Sequence, residues 1–300
     1  MTLSIEDIAI ALSATVSWAF ALIINKSLSS SVGSLHMNTV RLWSGFAIVF
    51  AFVWIFGKYG SISAYSAIDF TLLVSSGVVA LAVGDTVFIR SLYFIYVSQA
   101  FPVGQCAFLV LTVVTSILLL SETFSPINIV GGGLILSGLY LITAYGYQSR
   151  ISTFRTTNRK GLLLAFSAAL AWTTGAVILK ISLTEINAVF AAAIRTFSAA
   201  TALTLFQYGP WAPKHPSPMN QTNLKKLSMI ALSGMLGYGI GGIAYVLAMQ
   251  RVGAGRTVLI TSLTPVLVLI LSVLFLKEKP TRHSVIGTII CVVGVMCLSV

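Results

Sequence analysis

SLTPVLVLILSVLFLKEKPTRHSVIGTIICVVG, residues Ser262 to Gly294, is an apolar helix, a short acidic turn and a second apolar helix that carries glycines. A degenerate copy, CAFLVLTVVTSILLLSETFSPINIVGGGLILSG, runs from Cys106 to Gly138. Set 156 residues apart, Glu122 falls on Glu278, Gly131 on Gly287 and Gly138 on Gly294. The duplication extends upstream, where ALSATVSWAFALIINK (Ala11 to Lys26) returns as AFSAALAWTTGAVILK (Ala165 to Lys180). Here Trp18 matches Trp172, Lys26 matches Lys180 and Arg41 matches Arg195, each pair 154 apart. A net insertion of two residues in a loop of the second half accounts for the change of offset, so one fold unit is used twice.

With 57% hydrophobic and 8% charged residues and a mean hydropathy of +0.97, the chain departs from soluble domains, which carry about 25% charged residues. Apolar runs of bilayer-crossing length recur throughout. Backbone groups in lipid must bond within their own segment, so the expected class is an all-α polytopic membrane protein. A β-barrel is excluded by stretches such as LVLTVVTSILLL (Leu109 to Leu120), which lack the alternation of barrel strands.

The net charge of +11 comes from Lys and Arg scattered at span ends and loops, and no nucleic-acid-binding module is present. Cys106, Cys291 and Cys297 lie in apolar spans and read as packing residues, with no disulfide framework or metal spacing. His36, His215 and His283 form no metal motif, so neither metal nor cofactor is expected. Glu6 and Asp7 stand where a signal peptide needs positive charge, so the first span is expected to be retained.

Ten transmembrane helices are predicted, at about 7–25, 35–56, 69–91, 99–120, 126–147, 161–180, 187–207, 227–250, 255–276 and 282–300. They divide into a first repeat over 1–150, a basic linker over 151–160 and a second repeat over 161–300. Five helices per repeat is an odd number, so the second copy enters the membrane from the opposite side and the repeats are inverted. Secondary transporters use inverted repeats to open alternately to either side of a central site. Thirteen of the eighteen basic residues fall on one side, which predicts cytoplasmic loops after helices five and seven and termini outside.

Laid out in this order, the residues resemble the drug/metabolite transporter superfamily, and within it the ten-helix EamA-type permeases. The marks are Ala171-Trp172 with Lys180, SLTP at Ser262 to Pro265, LKEKPT at Leu276 to Thr281, and the helix from Ile286-Gly287 to Gly294. In the first repeat they are Ser17-Trp18 with Lys26, SETFS at Ser121 to Ser125, and Gly131 to Gly138. One departure is that Leu109 matches Pro265, with Pro102 seven residues earlier, so a helix break there is displaced or confined to the second repeat. The resemblance implies transport of amino acids, nucleotide sugars, other metabolites or drugs, as proton-coupled export or exchange. It also implies a cavity lined mainly by the first, third and fourth helix of each repeat.

Asp85, in AVGDTVFIRSL, is the acidic residue placed well inside an apolar span. Burying a charge at that depth costs ~3 kcal/mol or more, so such a group faces a cavity or a partner, with Arg41 and Arg195 as candidates. A carboxylate there can bind a cationic group or exchange a proton. Trp18 and Trp172 sit mid-helix, away from the interfacial belt, as cavity-lining or packing residues. Tyr238, Tyr245 and Met249 share one face of span eight. Gln105, Thr261 and Thr264 supply neutral polar groups, and Lys26 and Lys180 close the first helix of each repeat, either snorkelling or holding an anion. Gly84, Gly237, Gly239, Gly241 and Gly242 are dense enough for a hinge, and Gly287, Cys291 and Gly294 form a packing or homodimer face.

The expected function is secondary transport of a small organic metabolite of the amino acid or amine class, with protons as the coupling ion. An exchanger of phosphorylated or nucleotide-linked metabolites would need clustered Lys or Arg at the cavity. An intramembrane enzyme lacks its paired acids or buried His here, a non-transporting structural role predicts no flux, and no P-loop supports an ATP-driven pump.

Overall fold

The computed structural model describes residues 4–28, 32–56, 66–91, 93–95, 97–145, 159–183, 186–209, 223–276 and 281–298. The regular elements among them are helices: α1 (Ile5–Leu28), α2 (Ser34–Phe56), α3 (Ala67–Gly77), α4 (Asp85–Ser91), α5 (Val97–Leu119), α6 (Pro126–Tyr145), α7 (Arg159–Ser182), α8 (Ala188–Tyr208), α9 (Leu224–Gly234), α10 (Gly241–Val252), α11 (Ala254–Thr261), α12 (Thr264–Leu276) and α13 (Arg282–Leu298). Wide π-helical turns, Val78–Gly84 and Met235–Ile240, join α3 to α4 and α9 to α10.

Among the described residues, six helical stretches are long and apolar enough to cross a bilayer: Ile5–Asn25, Ser34–Ile55, Ala67–Ser91, Arg159–Ser182, Ala188–Tyr208 and Leu224–Val252. Val103–Leu119, Pro126–Leu141, Ala254–Val268 and Val285–Cys297 are shorter apolar helices. Exposed Trp54, Ile68, Leu118, Leu163 and Met296 give the bundle the apolar exterior that lipid requires. Together these make the chain an integral, multi-pass membrane protein.

Helix starts follow from short polar side chains. Ser66 and Asp69 form a reciprocal capping box at α3, and Asn187 and Asn223 accept amide hydrogens at the starts of α8 and α9. The start of α11 is capped from far away in sequence. Glu122 takes the amide hydrogens of Ala254 and Gly255 at 2.6 and 3.1 Å, beside Gly253, whose φ of +94° favours glycine.

Two spans predicted as uninterrupted need correcting, and a third breaks where the second repeat's proline was expected to interrupt it. Spans three and eight, read as continuous helices over 69–91 and 227–250, each contain a π turn, the first ending at Gly84 and the second where the sequence is glycine-dense. The predicted span 255–276 is two helices, parted at Ser262 and Leu263 just ahead of position 265. Proline fits the first turn of α12, where an N–H would have no partner. The hydroxyls of Ser262 and Thr264 bond Leu259 O and Thr261 O across the break, at 2.6 and 2.7 Å. By contrast α5 runs unbroken through position 102, so among the described residues the proline-associated break belongs to the second half.

Matching positions make matching contacts, each reaching into the other half of the chain. A Cβ on Gly77 would strike the backbone of Arg195 and Ser198 Oγ, while one on Gly234, 157 residues later, would strike the backbone of Arg41 and Ser44 Oγ. The α6–α13 contact is self-complementary in the same way. Gly138 meets Gly287 and Cys291, and Gly294 meets Gly131 and Ile135, the pattern of a two-fold interface. Arg251 pairs with Glu6 at 2.7 Å and Asp7 at 3.4 Å, and at the matching positions Lys160 Nζ stands 4.9 Å from the ring of Phe94.

Candidate functional site

Between the two halves lies a cavity of about 230 Å³. Its walls come from α1 (Trp18, Asn25), α2 (Met37, Arg41), the π turn and α4 (Leu81, Asp85, Phe88), α5 (Gln105, Phe108), α7 (Trp172), α8 (Arg195, Thr196), the second π turn with α10 (Tyr238, Gly242, Tyr245) and Thr264 of α12. As expected, most of the wall comes from the first, third and fourth helix of each half, with one addition. Both second helices contribute, and they contribute arginines.

The π turns shape this site. A widened turn leaves a main-chain carbonyl free of its usual helical partner, and the Gly237 carbonyl accepts the Trp18 indole N–H at 2.9 Å. Gly241 lets that indole lie against the helix, since a Cβ there would come within 2.8 Å of the ring. The other half repeats the arrangement: Gly84 lies under Trp172 with its notional Cβ 2.7 Å away. Matching rings stack alike, with Trp18 5.2 Å from Tyr245 at 43° and Trp172 5.2 Å from Phe88 at 48°.

The symmetry breaks at the acid. Asp85 corresponds to Gly242 in the second half, so the cavity holds one carboxylate. Asp85 Oδ1 accepts the Trp172 indole N–H at 2.7 Å, and Oδ2 pairs with the Tyr238 hydroxyl. The expected partners Arg41 and Arg195 are thus replaced in direct contact by Trp172 and Tyr238. The Tyr238 hydroxyl also stands 2.6 Å from Asn38 Oδ1. The Asn38 amide is oriented by donating to Leu81 O and Thr86 Oγ1 at 2.9 and 3.1 Å. A phenol carries one hydrogen, so two acceptors compete for it.

Arg41 and Arg195 each lie seven residues past the start of their helices and are 9% and 5% exposed. Counted from the sequence as span-end charges, they are instead cavity residues. The signal available was their 154-residue match inside apolar runs. Arg41 lies over the Tyr238 ring, 4.7 Å from its centroid. Asn38 and Asn25 had no such signal, because one amide in a long apolar run looks like any interhelical bond.

Of the other candidates, Trp18, Trp172, Tyr238, Tyr245 and Gln105 line the cavity with Asp85. Thr261 does not: it is fully buried and its hydroxyl is spent on Thr257 O within its own helix, while Thr264 reaches the wall. Met249 is likewise buried away from the cavity. Lys180 does not line the cavity; it donates to Met249 O at 3.2 Å, near the C-terminus of α10, where a cation offsets unpaired carbonyls. The side chain of Lys26 lies outside the described residues.

A bundle of apolar helices around a charged central cavity defines the class, a polytopic membrane carrier of small solutes. Residues 7–144 and 159–300 match the model of the EamA-like transporter family, and the chain belongs to that family, a branch of the drug/metabolite transporter superfamily. It is similar to "Putative sugar uptake protein lin0215" of Listeria innocua serovar 6a, with 25% identity over 227 residues, 73% of this chain and 74% of that protein. A solved crystal structure covers 98% of this chain and is itself covered over 98%, with a TM-score of 0.77 and 19% identity, a likeness of fold.

Proposed function

We propose that the chain is a proton-coupled exporter of an amino acid or amine-type metabolite, with two inverted five-helix repeats, ten membrane spans in all, rocking about the cavity. The crossed contacts of Gly77 with Gly234, and of α6 with α13, support a two-fold relation between the halves. Membership of the EamA-like family supports transport of a small solute.

The observation that carries the proton is the contested hydroxyl of Tyr238. When Asp85 holds a proton it can donate to the Tyr238 oxygen, freeing the phenol hydrogen for Asn38, and the chain Asp85 to Tyr238 to Asn38 is complete. When Asp85 is ionised it takes the phenol hydrogen and Asn38 Oδ1 keeps only the long contact from Arg41, at 3.4 Å. Arg41, Arg195 and Tyr245 are the other ionisable groups facing the cavity. An ammonium on the solute replaces the proton at the same carboxylate, which links outward solute movement to inward proton movement.

The test is flux in liposomes holding purified protein, driven by a pH gradient. Asp85→Asn is expected to abolish gradient-driven flux while the protein remains folded in the membrane. Unchanged flux and pH dependence would sink the proposal. Sugar transport, suggested by the name of the Listeria relative and by indole faces able to stack on a sugar ring, predicts flux of a hexose that ignores the gradient. The exchanger of phosphorylated metabolites gains support from the paired cavity arginines and predicts counterflow of a sugar phosphate.

A further inference from the structure

Arg41 and Arg195 occupy matching positions, yet only one is tied down. Arg195 Nε donates to Ser76 Oγ at 3.0 Å, and Ser76 donates onward to Gly175 O at 2.7 Å. The serine that matches Ser76 in the second half is Ser233, 157 residues later, and its hydroxyl turns back to Ile230 O of its own helix at 2.8 Å. Arg41 Nε is therefore buried without a hydrogen-bond partner, and a terminal nitrogen of the same group reaches Asn38 Oδ1 only at 3.4 Å. A buried N–H of a charged group left in this state is costly unless something else fills it.

We infer that Arg41, and not Arg195, holds an anionic group of the solute, and that this group is a carboxylate. A guanidinium fork matches two coplanar oxygens, and the one guanidinium whose Nε has no partner balances one negative charge. Phosphate carries nearly two charges and would draw on Arg195 as well, whose Nε is already taken by Ser76. The Tyr238 ring bridges the two charged ends of the site, with Arg41 over its face and Asp85 at its hydroxyl. The two Asp85 oxygens use two of about four acceptor positions, leaving room for an ammonium. A short zwitterion fits both ends, and Trp18, Phe88 and Phe108 offer its remainder an apolar, aromatic wall. The site thus discriminates amino acids from simple amines. This assignment rests on the transport proposal for the same cavity.

The experiment measures binding to detergent-purified full-length protein by quenching of intrinsic tryptophan fluorescence. Its probes are L-phenylalanine, 2-phenylethylamine, which lacks the carboxylate, and 3-phenylpropionate, which lacks the ammonium. Wild type is expected to bind phenylalanine most tightly. Arg41→Gln is expected to weaken phenylalanine and 3-phenylpropionate by on the order of 30-fold and leave phenylethylamine unchanged. Arg41→Lys keeps a charge, guards against misfolding of the first variant, and is expected to recover part of the loss. Arg195→Gln is expected to lower the unfolding temperature while preserving the ranking of the probes. Equal loss of all three probes in Arg41→Gln, loss of carboxylate binding only in Arg195→Gln, or a wild type that binds none of them would overturn the assignment. Carboxylate-dependent binding through Arg41 with no flux of any solute would retain the anchor and remove the transport proposal.

Discussion

Tyr238 concentrates the chemistry of the cavity into one hydrogen atom. Tyr238→Phe removes the group that both Asp85 and Asn38 need, and the change in transport should exceed that expected for one neutral hydrogen bond, about 1 kcal/mol, because the pair acts as a unit. The expected outcome is loss of most gradient-driven flux and a flattened pH profile in liposomes. Thr261→Val is the matched control: its hydroxyl serves only its own helix, so flux should stay within about twofold of wild type. A Thr261→Val defect as large as that of Tyr238→Phe would show that polarity near the cavity, and not the contested hydroxyl, governs the rate. Asp85 was legible in the sequence because an acid inside an apolar run is costly. Its partner was not, since Tyr238 lies 153 residues away and no local pattern links them.

At the scale of elements, glycines divide into those whose neighbours forbid a side chain and those in open space. Gly77 and Gly234 each press on the backbone of a helix from the other half, whereas Gly133 has nothing within 4 Å of a notional Cβ. Replacing Gly77 or Gly234 by Val is expected to cost about 1–3 kcal/mol through overpacking, read as a lower thermal midpoint in detergent. Gly133→Ala is expected to be neutral or to stabilise by up to about 1 kcal/mol. Equal midpoints for Gly77→Val and Gly133→Ala would contradict the close approach. A second element-level expectation concerns α11: Glu122→Ala strips two amide hydrogens of their acceptor and should cost on the order of 1–2 kcal/mol, with Glu122→Gln costing less. The helices were legible as apolar runs of the right length. Their π turns were not, because a helix that is apolar all round carries no periodic signal from which a change of pitch can be seen, whereas the break after Thr261 was marked by the proline that follows it.

For the molecule as a whole, the proposed motion exchanges one closed end for the other. Arg251 with Glu6 and Asp7, and Lys160 with Phe94, are matching contacts that the proposed inverted arrangement would set at opposite faces. Single cysteines introduced as Arg251→Cys and Lys160→Cys in a background lacking Cys106, Cys291 and Cys297 are expected to change their maleimide labelling rates in opposite directions when solute is added. Changes of the same sign would argue against rocking. The duplication that suggests this motion was visible in sequence at Trp18 and Trp172, at Arg41 and Arg195, and at the glycines of α6 and α13. The asymmetry that gives it chemistry, Asp85 against Gly242 and Ser76 against Ser233, became meaningful only when the side chains were seen side by side.

The crossed packing also sets a timetable for biosynthesis. Gly77 cannot meet Arg195, nor Gly138 meet Gly287 and Cys291, until the ribosome has made about 120–150 further residues, which takes on the order of 10–30 s. During that interval the newly inserted first half holds Asp85 in the bilayer without Trp172 or Tyr238. The nascent chain therefore depends on water, lipid headgroups or the insertion machinery to shelter that acid until its partners arrive.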